Sequence, residues 1–181
     1  MSIRPKDPLL IAGRFLAYIG QAMMALAAII LIAVTLGINI FRSEFLAELA
    51  DEFPELAMAS PIATFSMAFI VGLGFVAIGW FFLGKLRAII DTVAQGDPFA
   101  PVNATRLEQM GWLALASQLL AIPAAALGIY MAKALESSEH VEITSDVSVD
   151  PSGIMLVITL FILARVFKHG AAMREDLEGT V

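Results

Sequence analysis

Four long apolar blocks, separated by polar segments, dominate the pattern of the chain. A helix needs about 20 apolar residues to cross the hydrocarbon core of a bilayer, and each block approaches or exceeds that length. We therefore predict an all-α integral membrane protein with four transmembrane helices, packed as a bundle in one membrane domain over residues 1–181. The predicted spans cover about residues 15–40, 61–83, 110–131 and 151–167.

Prolines mark where several of these helices begin or bend. Ser60-Pro61 and Asp150-Pro151 each place a capping residue before a proline, which is the arrangement favoured at the first position of a helix. They predict the starts of spans two and four. Pro123 lies inside span three, where proline removes one backbone hydrogen bond, so we expect a kink there.

The polar segment 84–109 between spans two and three is predicted to form a helical hairpin. Gly96 suits the residue just after a helix end, and Asp97-Pro98 suits a turn. Asn103 or Thr105 is the expected capping residue where the helix restarts.

Two other segments connect the spans on the opposite side, at residues 41–60 and 132–150. The first predicts an amphipathic helix, because apolar residues recur at every fourth position, Phe41, Phe45, Leu49 and Phe53. The second is acidic and polar, with a weak alternating pattern that would suit a short strand. Together they predict a small acidic cap outside the membrane.

The distribution of basic residues predicts the orientation. Nine of the eleven Lys and Arg residues belong to the N-terminal segment, the hairpin or the tail, when Arg165 near the end of span four is counted with the tail, and only Arg42 and Lys133 lie on the other side. Basic residues are enriched in cytosolic loops. We therefore expect a cytosolic hairpin, a cytosolic tail at residues 168–181 and both termini in the cytosol.

The apolar cores of the spans contain no Asp, Glu, Lys or His. Proton-coupled transporters and ion pathways usually need such residues, so their absence disfavours both classes. Uncharged polar residues do occur at similar depths in spans one, three and four, namely Gln21, Ser117, Gln118 and Thr159. They predict a hydrogen-bonded layer within the membrane, which more often serves packing than ligand binding.

The sequence contains no recognisable catalytic motif. A phosphate-binding glycine loop, a zinc-protease helix and a nucleophile elbow are all absent. The chain has no cysteine, and His140 and His169 should face opposite sides of the membrane. We expect no enzyme activity, no cofactor and no metal site.

Two segments resemble a known family. They are LRAIIDTVAQGDPFAPVNATRLEQMGW and the ending FILARVFKHGAAMREDLEGTV, and the family is catalogued as domain of unknown function 2975. Its members are bacterial membrane proteins with four spans. The features that carry the resemblance are Leu86-Arg87, Gly96-x-Pro98-Phe99, Asn103, Arg106-Leu107, Gly111-Trp112, Gly170 and Glu175-Asp176.

The resemblance implies a location in the bacterial inner membrane and a regulatory role. Members are often encoded beside a small helix-turn-helix regulator of the Xre/Cro type, so the expected partner is such a transcription regulator, with no direct contact to nucleic acid. The expected contact residues, from the hairpin and the tail, are Arg87, Phe99, Arg106, Arg174, Glu175 and Asp176.

Other functions fit the same pattern. A small transporter, a channel or a lipid- or small-molecule-binding protein would use the polar layer around Gln21 and Gln118 as its site. An accessory subunit of a larger membrane complex, or a homo-oligomer, would instead use faces of small residues to bring helices close together.

Overall fold

The computed structural model describes residues 7–54, 61–136 and 151–178, and these residues form five helices and no strand. The prediction of an all-α protein is therefore confirmed for this part of the chain. In order, the helices are α1 (Pro8–Ile40), α2 (Arg42–Glu52), α3 (Pro61–Ala94), α4 (Pro101–Glu136) and α5 (Pro151–Glu178).

Four of these helices, all except α2, are long and apolar enough to cross a membrane. Each contains one of the four apolar blocks, and their most apolar stretches have mean hydropathies between 1.8 and 2.5. Each is also longer than its block. The 33 residues of α1 measure about 50 Å at 1.5 Å per residue, whereas the hydrocarbon core is about 30 Å thick. Polar helical turns therefore extend the spans.

The start of α4 differs from its prediction. The helix begins at Pro101, before both Asn103 and Thr105. Proline is well suited to the first helical position, because that residue has no intrahelical use for an N–H group. Asn103 consequently lies in the first turn, where its backbone N–H donates to Ala100 O at 2.8 Å.

The predicted tail is helical over most of its length. Helix α5 starts at Pro151, as predicted, but continues past the apolar block to Glu178. The added sequence, KHGAAMREDLE, is rich in residues with high helix propensity, so the helix gains from continuing beyond its apolar part.

The segment that follows α1 contains the predicted helix, which is α2. Phe41 separates it from α1, with φ −96° and ψ 37°. The ring of Phe45 then packs edge-on against Phe65 of α3, with 5.7 Å between the ring centroids. The weak strand and most of the acidic outer cap were predicted at residues that lie outside the described part of the chain.

The chain divides into two compact units, which we describe separately. The second unit comprises the described parts of Leu26–Val76 and Leu119–Val149. In it, α3 approaches both neighbouring spans through glycines. A Cβ atom on Gly72 would lie 3.4 Å from Leu31 of α1, and one on Gly74 would lie 2.8 Å from Leu120 of α4.

The first unit comprises the described parts of Met1–Ala25, Ala77–Gln118 and Asp150–Val181. Its core lies between α4 and α5, and its buried residues are Leu107, Met110, Ala114, Val157, Leu160 and Ala164. Apolar residues of α3, including Phe82, Leu86 and Ile89, pack against this core. The hairpin and the extension of α5 also belong to the first unit, so it contains every candidate site residue.

Helices α4 and α5 run antiparallel within the first unit. Gln118 lies against Gly153, and Gly111 lies against Phe161, so residue numbers rise along one helix as they fall along the other. The approach at Gly111 is close, because a Cβ atom there would lie 3.1 Å from the Phe161 ring.

Candidate functional site

A glycine-capped turn ends α3 and begins the hairpin. Gly96 has a φ of +86°, a conformation in which a Cβ atom is unfavourable. Its N–H donates to Val93 O at 3.0 Å, and the N–H of Asp97 donates to Thr92 O at 3.0 Å. These two bonds constitute a Schellman motif, which satisfies carbonyls at the end of the helix. The predictions of a glycine cap and a turn are confirmed.

A buried asparagine closes the hairpin. The side chain of Asn103 is fully buried, and its Nδ2 donates to Thr92 Oγ1 at 2.7 Å and to Pro98 O at 3.1 Å. Because the hydroxyl of Thr92 has one hydrogen, it donates to Ile89 O at 2.8 Å while accepting from the amide. Arg106 Nη1 donates to Asn103 Oδ1 at 2.9 Å. Every polar atom of the buried amide therefore has a partner.

Arg106 joins the two arms of the hairpin. Besides its bond to Asn103, its Nη1 donates to Ala88 O in α3 at 2.8 Å. The side chain is half-buried. Arg106 therefore contributes to the internal scaffold of the hairpin, and its predicted contact with a partner stays a prediction.

Arg87 is held between α3 and α1. Its Nη1 donates to Gln21 Oε1 at 3.2 Å, and its guanidinium lies 4.5 Å from the centroid of the Tyr18 ring. This distance is within the range of a cation–π interaction. Arg87 Nε is buried and has no hydrogen-bond partner among the residues that the structure describes. Arg87 is thus half-buried, and its guanidinium contacts Gln21 and Tyr18 within the protein.

A second contact between α1 and α3 lies nearby, at Arg14 and Asp91. Arg14 Nη2 is 2.5 Å from Asp91 Oδ1. This ion pair leaves no sign in the sequence, because the two charges are 77 positions apart and no local pattern relates them.

The hairpin turn lies directly against α5. The rings of Phe99 and Phe167 are 5.4 Å apart and tilted by 41°, and Phe99 also covers Gly170, where a Cβ atom would lie 2.8 Å from the ring. On the same side, Arg174 Nη1 is 2.5 Å from Asp97 Oδ1. The glycine of the family pattern is explained by this contact, since a larger residue would displace the Phe99 ring.

These contacts bring four of the six predicted partner residues to one end of the first unit. Phe99 is 42% exposed although it packs on α5, and Arg174, Glu175 and Asp176 are exposed. We call these four residues together with Asp97 the turn–α5 surface. Asp97 was not among the predicted site residues, and only the three-dimensional contact with Arg174 reveals it.

The hydrogen bonds of the predicted polar layer differ from those that the sequence predicted. Ser117 and Thr159 donate to carbonyls of their own helices, Ala114 O and Met155 O, both at 2.7 Å. Gln21 contacts α3, through Arg87 and a long 3.4 Å bond to Trp80 O. Hydrogen bonds therefore do not join Gln21, Ser117 and Thr159 to one another in the described structure. A ligand-binding role for these residues stays a prediction.

Gln118, the fourth residue of the predicted layer, lies against Gly153 of α5. Its contact therefore links α4 and α5, the two helices that carry Ser117 and Thr159.

Metal-binding chemistry is not assembled in the part of the chain that the structure covers. No group of three or more His, Asp or Glu side chains is placed there to hold an ion. His140 lies outside this part of the chain.

A family model described as "Protein of unknown function (DUF2975)" matches residues 43–181. The chain belongs to the DUF2975 family. The match includes α2 to α5, and with them the buried Asn103, the Gly96 cap and the turn–α5 surface. Searches of curated proteins and of solved structures found no match to this DUF2975 protein.

Proposed function

We propose that this DUF2975 protein is a non-enzymatic regulatory protein of the bacterial inner membrane. In this proposal it binds a small cytosolic helix-turn-helix transcription regulator on the turn–α5 surface. The observation that carries the proposal is the joint contact of the hairpin turn with α5, through Phe99 on Phe167 and Asp97 on Arg174. Two segments that resemble the family most strongly thereby form one surface.

The composition of this surface suits protein binding. Aromatic residues and arginine contribute most often to the affinity of protein interfaces. Phe99 and Arg174 supply one of each, and both remain accessible. Glu175 and Asp176 add negative charge beside them.

The negative charge indicates which face of a regulator would bind. DNA-binding proteins carry basic surfaces that contact phosphates, and a carboxylate pair is complementary to such a surface. Binding at Glu175 and Asp176 would therefore compete with DNA for the regulator. The proposed mechanism is sequestration at the membrane.

Arg87 and Arg106 have a supporting role in this proposal. Both are half-buried, and their hydrogen bonds go to Gln21, Ala88 and Asn103 within the protein. They hold the hairpin in place and do not contact the partner.

The proposal requires the hairpin to lie in the cytosol. Its support is the positive-inside distribution of charge, with nine of eleven basic residues on the hairpin side. Because the chain has no cysteine, single exposed positions report orientation directly. With a membrane-impermeant maleimide on intact spheroplasts, Ala50→Cys in α2 should be labelled and Gln95→Cys in the turn should not. Labelling of Gln95→Cys alone would reject the proposed orientation.

Binding is tested by co-purification. The intact protein, extracted from native membranes in mild detergent, should retain a small helix-turn-helix protein. The double variant Glu175→Lys/Asp176→Lys should lose it. A matched control exists in α2, where Asp51 and Glu52 are also adjacent and exposed. Asp51→Lys/Glu52→Lys should retain the regulator. Equal retention by both double variants, or no regulator with the intact protein, would reject the proposed partner site.

A further inference from the structure

An open groove of about 1220 Å³ runs between the first turns of α4 and the C-terminal part of α5, within the first unit. We call it the α4–α5 groove. At one end its lining is apolar, with Ile158, Phe161 and Ile162. At the other end it contains charged residues of both signs, Glu108, Arg165, Lys168 and Glu175.

Glu108 and Arg165, which carry opposite charges, lie at similar positions along the axes of α4 and α5. Gly111 contacts Phe161, and the two helices run antiparallel. At 1.5 Å per residue, Glu108 lies about 4.5 Å beyond that contact and Arg165 about 6 Å beyond it. Lys168 is one turn further along α5. The charged end of the groove therefore begins immediately next to its apolar end.

These charges are not neutralised by the protein itself. Within residues 7–54, 61–136 and 151–178, the side chains of the four charged groove residues form no ion pair and no hydrogen bond. Ion pairs lie elsewhere, at Arg14–Asp91 and Asp97–Arg174. The groove thus offers two cations and two carboxylates to a ligand.

We propose that the α4–α5 groove binds a phospholipid whose head group carries a phosphate and a primary ammonium, as in phosphatidylethanolamine. Arg165 and Lys168 bind the phosphate, and Glu108 accepts a hydrogen bond from the ammonium. One acyl chain lies along Ile158 and Ile162. From Ile158 to Lys168 the groove follows ten residues of helix, about 15 Å, which spans the border between acyl chains and head groups.

Charge balance distinguishes this ligand from other lipids. A head group with only a phosphate would leave the carboxylates of Glu108 and Glu175 without a counter-charge and close to a negative group. A choline head group is positive but has no N–H to donate to Glu108. A primary ammonium supplies both the charge and the hydrogen-bond donors.

The test is native mass spectrometry of the delipidated full chain. The protein is mixed with equal amounts of phosphatidylethanolamine, phosphatidylglycerol and phosphatidylcholine of identical acyl chains. We expect the bound ethanolamine lipid to exceed each of the others about tenfold, which corresponds to about 1.4 kcal/mol. Equal binding of the three lipids, or a preference for phosphatidylglycerol, would overturn the proposal.

Substitutions of the charged groove residues test whether the lipid binds in the α4–α5 groove. Glu108→Gln should reduce the preference for the ethanolamine lipid to within about twofold of the glycerol lipid, while total lipid binding persists. Arg165→Gln/Lys168→Gln should lower the binding of all three lipids about tenfold, because the phosphate contact is lost. Arg42→Gln in α2 is the matched control and should bind as the wild type does.

Two results with these variants would reject the groove as the lipid site. One is an unchanged lipid preference in Glu108→Gln. The other is a wild-type dimer whose Lys168 cross-links to a second copy, because that copy would then occupy the groove. Circular dichroism verifies that each variant is folded, and the ranking of lipids by the wild type needs no variant.

Discussion

Asn103 Nδ2 lies 2.7 Å from Thr92 Oγ1, and this hydrogen bond joins α4 to α3 across the hairpin. The same amide accepts from Arg106 and donates to Pro98 O. A single fully buried side chain therefore hydrogen-bonds to both arms of the hairpin and to the turn between them.

Replacing Asn103 with Leu should destabilise the protein. The change removes the donor to Pro98 O and one of the two acceptors of Arg106 Nη1, and leaving a buried polar group unsatisfied costs about 1–3 kcal/mol. We expect a loss of this size in the free energy of unfolding, measured by reversible denaturation in mixed SDS micelles. Gln109→Leu is the control, because Gln109 is exposed in α4 and should change stability by less than about 0.5 kcal/mol. Equal losses would show that the Asn103 bonds contribute little.

Gly96→Ala should cost about 1–2 kcal/mol. This is the energetic penalty of a Cβ atom in the left-handed conformation. No atom lies within 4 Å of the added Cβ, so the cost comes from the backbone alone. Gly96→Asn should cost less, since asparagine tolerates this conformation better than alanine. The same unfolding measurement checks both variants, and a cost for asparagine that equals or exceeds that for alanine would contradict the explanation.

Two glycines of α4 should respond in opposite ways to alanine. At Gly111 the added Cβ would lie 3.1–3.3 Å from three atoms of the Phe161 ring, whereas at Gly128 it would meet nothing within 4 Å. Alanine favours a helix over glycine by up to about 1 kcal/mol. We expect Gly128→Ala to raise the melting temperature in detergent and Gly111→Ala to lower it. A gain at both positions would mean that Phe161 moves aside without cost.

The ion pair of Asp97 and Arg174 should contribute little energy. Its side chains are 42% and 47% exposed, so solvent screens the charges and their coupling should be about 0.2–1 kcal/mol. A double-mutant cycle with Asp97→Asn and Arg174→Gln measures this coupling free of other contacts that Arg174 makes. The coupling should fall as salt is raised from about 0.05 to 0.5 M. A coupling above about 2 kcal/mol would contradict the exposed geometry.

Gln21→Leu distinguishes the proposed regulatory function from the alternative of transport or channel activity. The change removes the acceptor of Arg87 Nη1, so we expect a loss of about 1–3 kcal/mol in the free energy of unfolding. At a temperature where the variant is still folded, capture of the regulator should persist. Gln109→Leu, at an exposed position of α4, is the control. Loss of capture by folded Gln21→Leu protein would favour a function at the Gln21 site.

Hydropathy alone predicts the membrane part of this fold well. Each apolar block lies in one helix, and two of these helices begin at Pro61 and Pro151, as the sequence predicts. The extensions beyond the blocks are harder to predict, because polar turns of α3 and α5 make contacts with residues far away in the sequence, such as Arg14–Asp91 and Asp97–Arg174. These pairs join residues 77 positions apart and leave no local pattern.

The polar layer shows a different limit of sequence reasoning. Depth along a helix follows from the rise per residue, but the direction of a side chain does not. Ser117 and Thr159 satisfy their hydroxyls on carbonyls three and four residues earlier, a local bond that is always available to them in a helix. Similar depth was therefore insufficient to predict a shared network.

Helix α5 is one continuous helix that joins its apolar stretch to the polar turns near Glu175. It runs for 28 residues, about 42 Å, and no proline interrupts it after Pro151. Rigid helices transmit displacement along their axis. A displacement of the last turns near Glu175 would therefore be carried along α5 to its start at Pro151, and a displacement at Pro151 would be carried back to Glu175.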